Sequence, residues 1–244
     1  MLPRRLKLLL RPFIPARLRR AALNRLSRSD RYRTGSPAEI FGAIYRDGIW
    51  GSGDDFMSGG GSRDPTVVDP YVDAIRKFVE ALPDRVNAVD LGCGDFFVGS
   101  QLVPLFRSYR ACDVVPALIE RNRKKFVDPR LSFEVVDLVA DPLPPGEIAF
   151  VRQVLQHLSN DQVAQVLPKL DAYRYVVVTE HIPSGIFEPN ADKAAGPDVR
   201  LSGGSGLVLD APPFDWAREG RTLCRFDSHG SVLETRLWTR VGDS

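Results

Sequence analysis

The sequence predicts an α/β fold, a doubly wound and mostly parallel seven-stranded sheet that ends in an antiparallel hairpin. Three observations predict it. Between Val86 and Thr179, short apolar runs alternate with amphipathic stretches, the signature of repeated β-then-α units. The first apolar run ends in Asp90-Leu91-Gly92-Cys93-Gly94-Asp95, a glycine-rich turn of the kind that feeds a helix beside a bound ligand. The C-terminal region carries two strand-like runs, Thr222–Asp227 and Leu233–Val241, joined by Ser228-His229-Gly230-Ser231, which read as a hairpin.

The elements follow in order. Residues 1–36 form a basic arm, and 37–66 form a segment rich in glycine between Gly51 and Ser62. The domain proper spans 67–244. It opens with a helix over Val67–Leu82, where Val68, Tyr71, Val72, Ile75, Phe78, Val79 and Leu82 recur at helical spacing and Pro83 stops it. Strand one is Val86–Asp90, and its helix covers Phe97–Phe106. Strand two is Tyr109–Asp113, followed by a helix over Pro116–Phe126. Strands three and four are Leu131–Val136 and Ile148–Arg152. A helix over Asp161–Leu170 leads into strand five, Tyr173–Thr179, a nearly continuous apolar run that suits a strand covered on both faces. An insertion, 180–221, separates it from the hairpin. Long irregular segments within compact domains usually serve function, so this one is expected to cap a pocket, with Arg200, Phe214 and Trp216 as contacts or as packing.

Composition sets bounds. A chain of 244 residues, 43% hydrophobic, can bury one sizeable core. Three cysteines, Cys93, Cys112 and Cys224, cannot all pair, and their spacing carries no metal signature; a reducing cytoplasm is the expected home. The net charge of +2 hides an asymmetry. Through Arg33 there are eleven basic residues and one acid, a net +10, while the remaining 22 basic and 30 acidic residues leave −8. Within the arm, Ile14, Leu18, Ala21, Ala22 and Leu26 share one helical face and arginines cover the others. Such a helix suits an anionic membrane surface, through residues 1–33, or packing on the body or on a second subunit of a homodimer. The acidic body and the lack of interleaved aromatics in the arm argue against nucleic acid as a partner.

The residues at the strand ends carry the chemistry. The position three after Gly94 is Phe97, not the glycine or alanine of a dinucleotide fingerprint. The run Asp90-Leu91-Gly92-Cys93-Gly94-Asp95 instead resembles motif I of the class I S-adenosylmethionine-dependent methyltransferases, which have a Rossmann-like fold. Acids also end strand two, at Asp113, and follow strand three, at Asp137. The resemblance implies S-adenosyl-L-methionine as cofactor. It implies that Gly92 and Gly94 allow close approach and that Asp90 orients the turn or meets the methionine ammonium, with Asp95 in a variable position. It further implies that Asp113 accepts from the ribose hydroxyls with Val114 against the adenine, and that Asp137-Leu138 meet the adenine edge. Arg152-Gln153 follow strand four, where the family holds the methionine part and faces the acceptor. Upstream, Ile44-Tyr45, Trp50-Gly51 and Ser58-Gly59-Gly60-Gly61-Ser62 resemble the Ile-Tyr…Trp-Gly…Ser-Gly-x-Gly-Ser segment of a bacterial group of such enzymes. In that group the segment folds over the cofactor, which would place Tyr45, Trp50, Ser58 and Gly59 on it; a glycine-rich surface loop is the alternative.

The implied activity is methyl transfer to a small molecule, on an oxygen of a sugar or other metabolite. Alternatives are a non-catalytic cofactor-binding protein of the same fold and a protein or nucleic-acid methyltransferase. Arg152-Gln153-Val154-Leu155 stands where amino-methylating enzymes of nucleic acids often carry Asn-Pro-Pro-Tyr. An oxygen acceptor calls for a base, which favours histidine. His157 and His181 follow strands four and five and are the catalytic candidates, with Glu180-His181 ahead as base; His229 sits in the hairpin turn.

Overall fold

The computed structural model describes residues 32, 35–51, 56–228, 230–240 and 242. The predicted basic arm, apart from Tyr32, Gly35 and Ser36, and His229 lie outside the described residues. Among the described residues no helix is long and apolar enough to cross a membrane.

Seven strands form one sheet in the order β3-β2-β1-β4-β5-β7-β6. They are β1 (Asn87–Leu91), β2 (Ser108–Asp113), β3 (Leu131–Val135), β4 (Ile148–Arg152), β5 (Tyr175–Pro183), β6 (Glu219–Ser228) and β7 (Ser231–Thr239). The first five are mutually parallel; β7 runs antiparallel to β5 and to β6. The predicted fold class is the observed one. The chain order reverses between β1 and β4, so the carboxyl ends of those strands open a crevice, the usual ligand position in such sheets.

Among the described residues there are five α-helices: α1 (Pro37–Arg46), α2 (Pro65–Glu80), α3 (Phe97–Leu102), α4 (Pro116–Lys125) and α5 (Asn160–Leu170). Their starts are written locally. Ser36 and Glu39 form a reciprocal capping box on α1, Asp64 caps α2, and Ser159 with Gln162 repeats the box on α5. Each face of the sheet has its own core. Tyr71 and Ile75 of α2 pack with Phe106, Phe150, Val177 and Leu237 on one face. Val163, Val166 and Leu170 of α5 pack with Val89, Val151, Val176 and Trp238 on the other.

Several boundaries differ from the sequence reading. The helix expected over Phe97–Phe106 stops at Leu102 and tightens into a 3-10 turn over Val103–Leu105, where Pro104 removes a helical N–H. Strand β5 runs on to Pro183, because β7 pairs with it as far as Pro183 and Ser231. Glu180 and His181 are therefore strand residues, not loop residues after it. The hairpin strands pair to Ser228 and Ser231, which shortens the expected joint to two residues.

Candidate active site

The crevice holds one cavity of about 400 Å³, within the range of small-molecule sites. Each residue singled out from the sequence as a cofactor contact or catalytic candidate lies on its wall. Among the described residues no cluster of histidine, cysteine, aspartate and glutamate could hold a metal ion.

The glycine turn is the most constrained part. Gly92 and Gly94 both have left-handed backbone, with φ of +82° and +56°. A Cβ on Gly92 would lie 2.4 Å from Val154 Cγ2, and one on Gly94 would lie 2.3 Å from Ser58 Oγ. The side chains excluded here are thus excluded by the protein itself before any ligand arrives. The turn's N–H groups are also consumed internally. Those of Gly92 and Cys93 donate to the Cys112 carbonyl, each at 2.8 Å, and that of Gly94 donates to Asp113 Oδ2 at 3.1 Å. Asn122 Nδ2, from α4, donates to the Gly94 carbonyl at 2.8 Å. The turn offers a ligand close approach, not free amides.

The carboxylates have structural duties as well. Asp113 Oδ1 accepts from the Val115 N–H at 3.0 Å, so both its oxygens pin backbone. Burial nevertheless lifts its carboxyl to about 6 against those bonds. Asp90 accepts from the Tyr109 hydroxyl at 3.0 Å, and burial lifts it to about 7. Asp137 Oδ1 caps the turn that follows β3, accepting from the Val139 N–H at 2.8 Å. Asp95 is buried and takes Arg63 Nε and Nη2 at 3.2 and 3.0 Å.

The glycine-rich segment lies over the turn. The Asp95 N–H donates to Ser58 Oγ at 2.8 Å, and the hydroxyls of Tyr45 and Ser58 are 3.2 Å apart. Ser62 Oγ donates to the Ser58 carbonyl at 2.9 Å. Aromatic rings continue this cover. Trp50 packs against Tyr45 at 5.1 Å, Phe41 at 6.0 Å and His157 at 5.0 Å between centroids. Trp50 is thus a packing anchor for this segment, and Tyr45 and Ser58 hold it against the turn.

The wall formed by β4 and β5 differs. Gln153 holds φ +57°, a left-handed conformation that a non-glycine residue adopts at a cost, immediately at the end of β4. Its N–H donates to the Thr179 carbonyl at 2.7 Å. Burial, followed by the Lys193 charge, pushes His157 down to about 4. The ring is neutral, so its Nδ1–H donates to the Gly196 carbonyl at 3.1 Å. Burial and then Arg152 also lower His181, whose Nε2 is buried without a hydrogen-bond partner.

Some expectations are corrected. Glu180 is no base in the cavity. Its two carboxylate oxygens accept the N–H groups of Leu155 and Gln156 at 3.1 and 3.2 Å and so hold the 3-10 turn Leu155–His157. Arg200 is buried and ties the Gln156, Leu158 and Ala191 carbonyls to Asn160. For Trp216 and Phe214 the packing alternative is the observed one: Trp216 packs on Trp238 and donates to Asp171, and Phe214 packs on the same core. The insertion instead presents Pro197 and Val199 to the cavity. Sequence reasoning missed Asn122, Tyr109 and Arg63. Only Asn122 left a signal, as the polar residue on a helix position that would otherwise be apolar.

No protein-family model matches this sequence, and no curated protein is similar to it. Solved structures are similar in fold. The N-methyltransferase NodS from Bradyrhizobium japonicum WM9, in complex with S-adenosyl-L-homocysteine, superimposes with a TM-score of 0.57 at 15% identity, over 81% of this chain and 97% of that one. Magnesium protoporphyrin IX methyltransferase from Synechocystis PCC 6803, with the same molecule bound, gives 0.56 at 15% identity, over 82% and 94%. The methyltransferase domain of a bacterial CtHen1 gives 0.52 at 16% identity, over 72% and 98%. The chain has the Rossmann-like methyltransferase fold. That fold brings its ligand crevice to the edge where the cavity described above lies.

Proposed function

We propose that this chain is an enzyme that transfers a methyl group from S-adenosyl-L-methionine to an oxygen of a small-molecule acceptor. One observation carries the reading. A doubly glycine-built turn, clamped by Asp113 and Asn122, opens on a crevice with carboxylates at the ends of three successive strands. This is the arrangement expected around a nucleoside with a cationic tail.

The residues fit that cofactor. Gly92 and Gly94 leave no side chain between backbone and ligand. Asp113 has lone pairs left for the ribose hydroxyls after its two backbone bonds. Val114 and Leu138 flank the adenine, with Asp137 at its edge. Asp90 meets the ammonium, and a cation beside it favours its ionised form. Asp95 acts indirectly, holding Ser58 and Arg63 over the turn. When bound, S-adenosylmethionine supplies a methyl group on a sulfonium, ready for in-line displacement.

The chain's part is alignment, water exclusion and removal of a proton. Tyr45, Trp50 and Phe41 close the crevice from above. We assign His157 to that cover, where its ring packs at a tilt against Trp50 and its Nδ1–H is spent on Gly196. His181 Nε2 is the proton acceptor, because its imidazole is neutral and that nitrogen is otherwise unused.

Calorimetric titration with S-adenosylhomocysteine, followed by transfer of labelled methyl from S-adenosylmethionine to a panel of hydroxylated metabolites, tests the reading. Binding with transfer supports it. A chain that ignores both nucleosides but responds to NAD or a nucleoside triphosphate overturns it. His181→Ala is expected to lower kcat at least about 100-fold, the usual contribution of a positioned base, with cofactor affinity unchanged. Equal turnover removes His181 from the mechanism.

A further inference from the structure

The cavity wall is divided by charge. At the ends of β1, β2 and β3 it carries four carboxylates, Asp90, Asp95, Asp113 and Asp137. At the ends of β4 and β5 it carries no carboxylate, and Arg152 is the sole lysine or arginine on the wall among the described residues.

Arg152 is held but not used. Its guanidinium lies over the Tyr71 ring, 5.3 Å from the centroid, and Nη1 is 3.5 Å from Gln153 Oε1. Nε and Nη2 are buried and have no hydrogen-bond partner. Those two nitrogens form one edge of the guanidinium, which donates two parallel N–H bonds to a carboxylate. The same chain shows that edge in use: Arg130 holds Asp128 through Nε at 2.9 Å and Nη2 at 2.8 Å. Arg152 belongs to the cavity wall, and its fork, buried beside the Asp90 charge, has no hydrogen-bond partner. His181 Nε2, on the next strand, is a second buried nitrogen without a partner on the same wall. Buried polar groups left unpaired are costly and rare in folded proteins, and two together on a cavity wall mark a position for a ligand.

We propose that Arg152 anchors an oxyanion of the acceptor, a carboxylate or a phosphoryl group, through Nε and Nη2. The acceptors are then anionic small molecules, held with the reacting oxygen near His181. The term acceptor rests on the methyl-transfer reading; the oxyanion site itself does not. The unused nitrogens of Arg152 and His181 lie on β4 and β5, and β4 is the direct neighbour of the glycine-turn strand β1, so the cofactor's own carboxylate is the competing partner that the titration must separate.

The test uses the full chain labelled with ¹⁵N-arginine. The Arg152 Nε–H resonance is assigned by its loss in Arg152→Gln, or in Arg152→Lys if the glutamine variant does not fold. Benzoate or inorganic phosphate is titrated into chain alone and into chain saturated with S-adenosylhomocysteine. A saturable shift of that resonance, with half-effect in the millimolar range, is expected in both samples. The anion that produces it separates a carboxylate site from a phosphoryl site. Arg152→Lys keeps charge but loses the fork, and is expected to weaken benzoate binding about tenfold or more. Cofactor affinity of the variants is expected to stay within about threefold of wild type. An Arg152 resonance unmoved by either anion overturns the proposal. So does a resonance moved by S-adenosylhomocysteine alone together with a tenfold loss of its affinity in the variants, because the guanidinium then serves the cofactor carboxylate. Failure of wild type to bind S-adenosylhomocysteine sinks the methyl-transfer reading instead, and the titration of chain alone still reads the oxyanion site.

Discussion

The wall built on the glycine turn and the wall built on β4 and β5 adjoin and line one cavity, yet they are made on opposite principles. On the first, the polar groups that shape the turn are bonded within the protein: amides to Cys112 and Asp113, a carbonyl to Asn122, and Ser58 to Asp95. On the second, Gln153 is strained and nitrogens of Arg152 and His181 lack partners. The first wall is a finished mould. The second keeps its polar capacity in reserve, which is where chemistry that varies between substrates is placed.

The strongest way to break this contrast is to disturb the mould. Gly94→Ala puts a Cβ 2.3 Å from Ser58 Oγ in left-handed backbone. The combined strain and overpacking should cost about 3 kcal/mol. Urea unfolding measures this, and Ser58→Gly in the same chain should return part of it, because the clash partner is gone. A Gly94→Ala chain as stable as wild type would mean the turn is not a rigid mould.

Asp113→Asn comes next. The amide oxygen can keep one backbone bond, and the cost of ionising a buried carboxyl disappears, so stability should change by less than about 1 kcal/mol. Cofactor affinity should fall about 10- to 100-fold, because a charged acceptor for two hydroxyls is lost. Large destabilisation with unchanged affinity would reassign Asp113 to architecture alone.

The pH dependence of the two walls sharpens the comparison further. Asp90 and Asp113 have folded pKa values of about 7 and about 6, above the ordinary 3.8, and Glu180 about 8, above 4.5. The native chain therefore binds more protons than the unfolded chain between about pH 4 and 8. Stability of the ligand-free protein is fullest at the acid end of that window and is lost as pH rises through those values. His157, lowered from 6.5 to about 4, and His181, also lowered, work in the opposite sense over part of the same range, two groups against three. Cofactor binding favours ionised Asp90 and Asp113, so its affinity should rise from pH 5 to about pH 8 and then level, with proton release visible by calorimetry in buffers of different ionisation enthalpy. Affinity that is flat with pH would separate both acids from the ligand.

The sequence was legible where local chemistry dictates structure. The succession of strands and helices, the glycine turn and the acids at the ends of β1, β2 and β3 follow from periodicity and turn chemistry that act over a few residues. What it hid was pairing between distant segments. Nothing near Asp95 announces Arg63, and nothing near Gly94 announces Asn122, because those contacts exist only once α2 and α4 are packed. Glu180 shows the same limit. An acid beside a histidine at a strand end reads as a base, but both its oxygens are taken by amides 24 and 25 residues away.

The smallest expected effect lies at the join of the two walls. Tyr45→Phe removes a hydroxyl 3.2 Å from Ser58 Oγ but keeps the ring against Trp50. Ser58 Oγ still accepts the Asp95 N–H, so no buried acceptor is orphaned. The loss should be one ordinary hydrogen bond, about 0.5–1.5 kcal/mol in stability, with cofactor dissociation faster by less than about tenfold. Stopped-flow dissociation of S-adenosylhomocysteine measures the second quantity. A larger effect on dissociation than on stability would mean that the Tyr45 hydroxyl acts as a latch on the cover. Equal effects would leave the aromatic packing of Phe41, Tyr45, Trp50 and His157 as what closes the cavity.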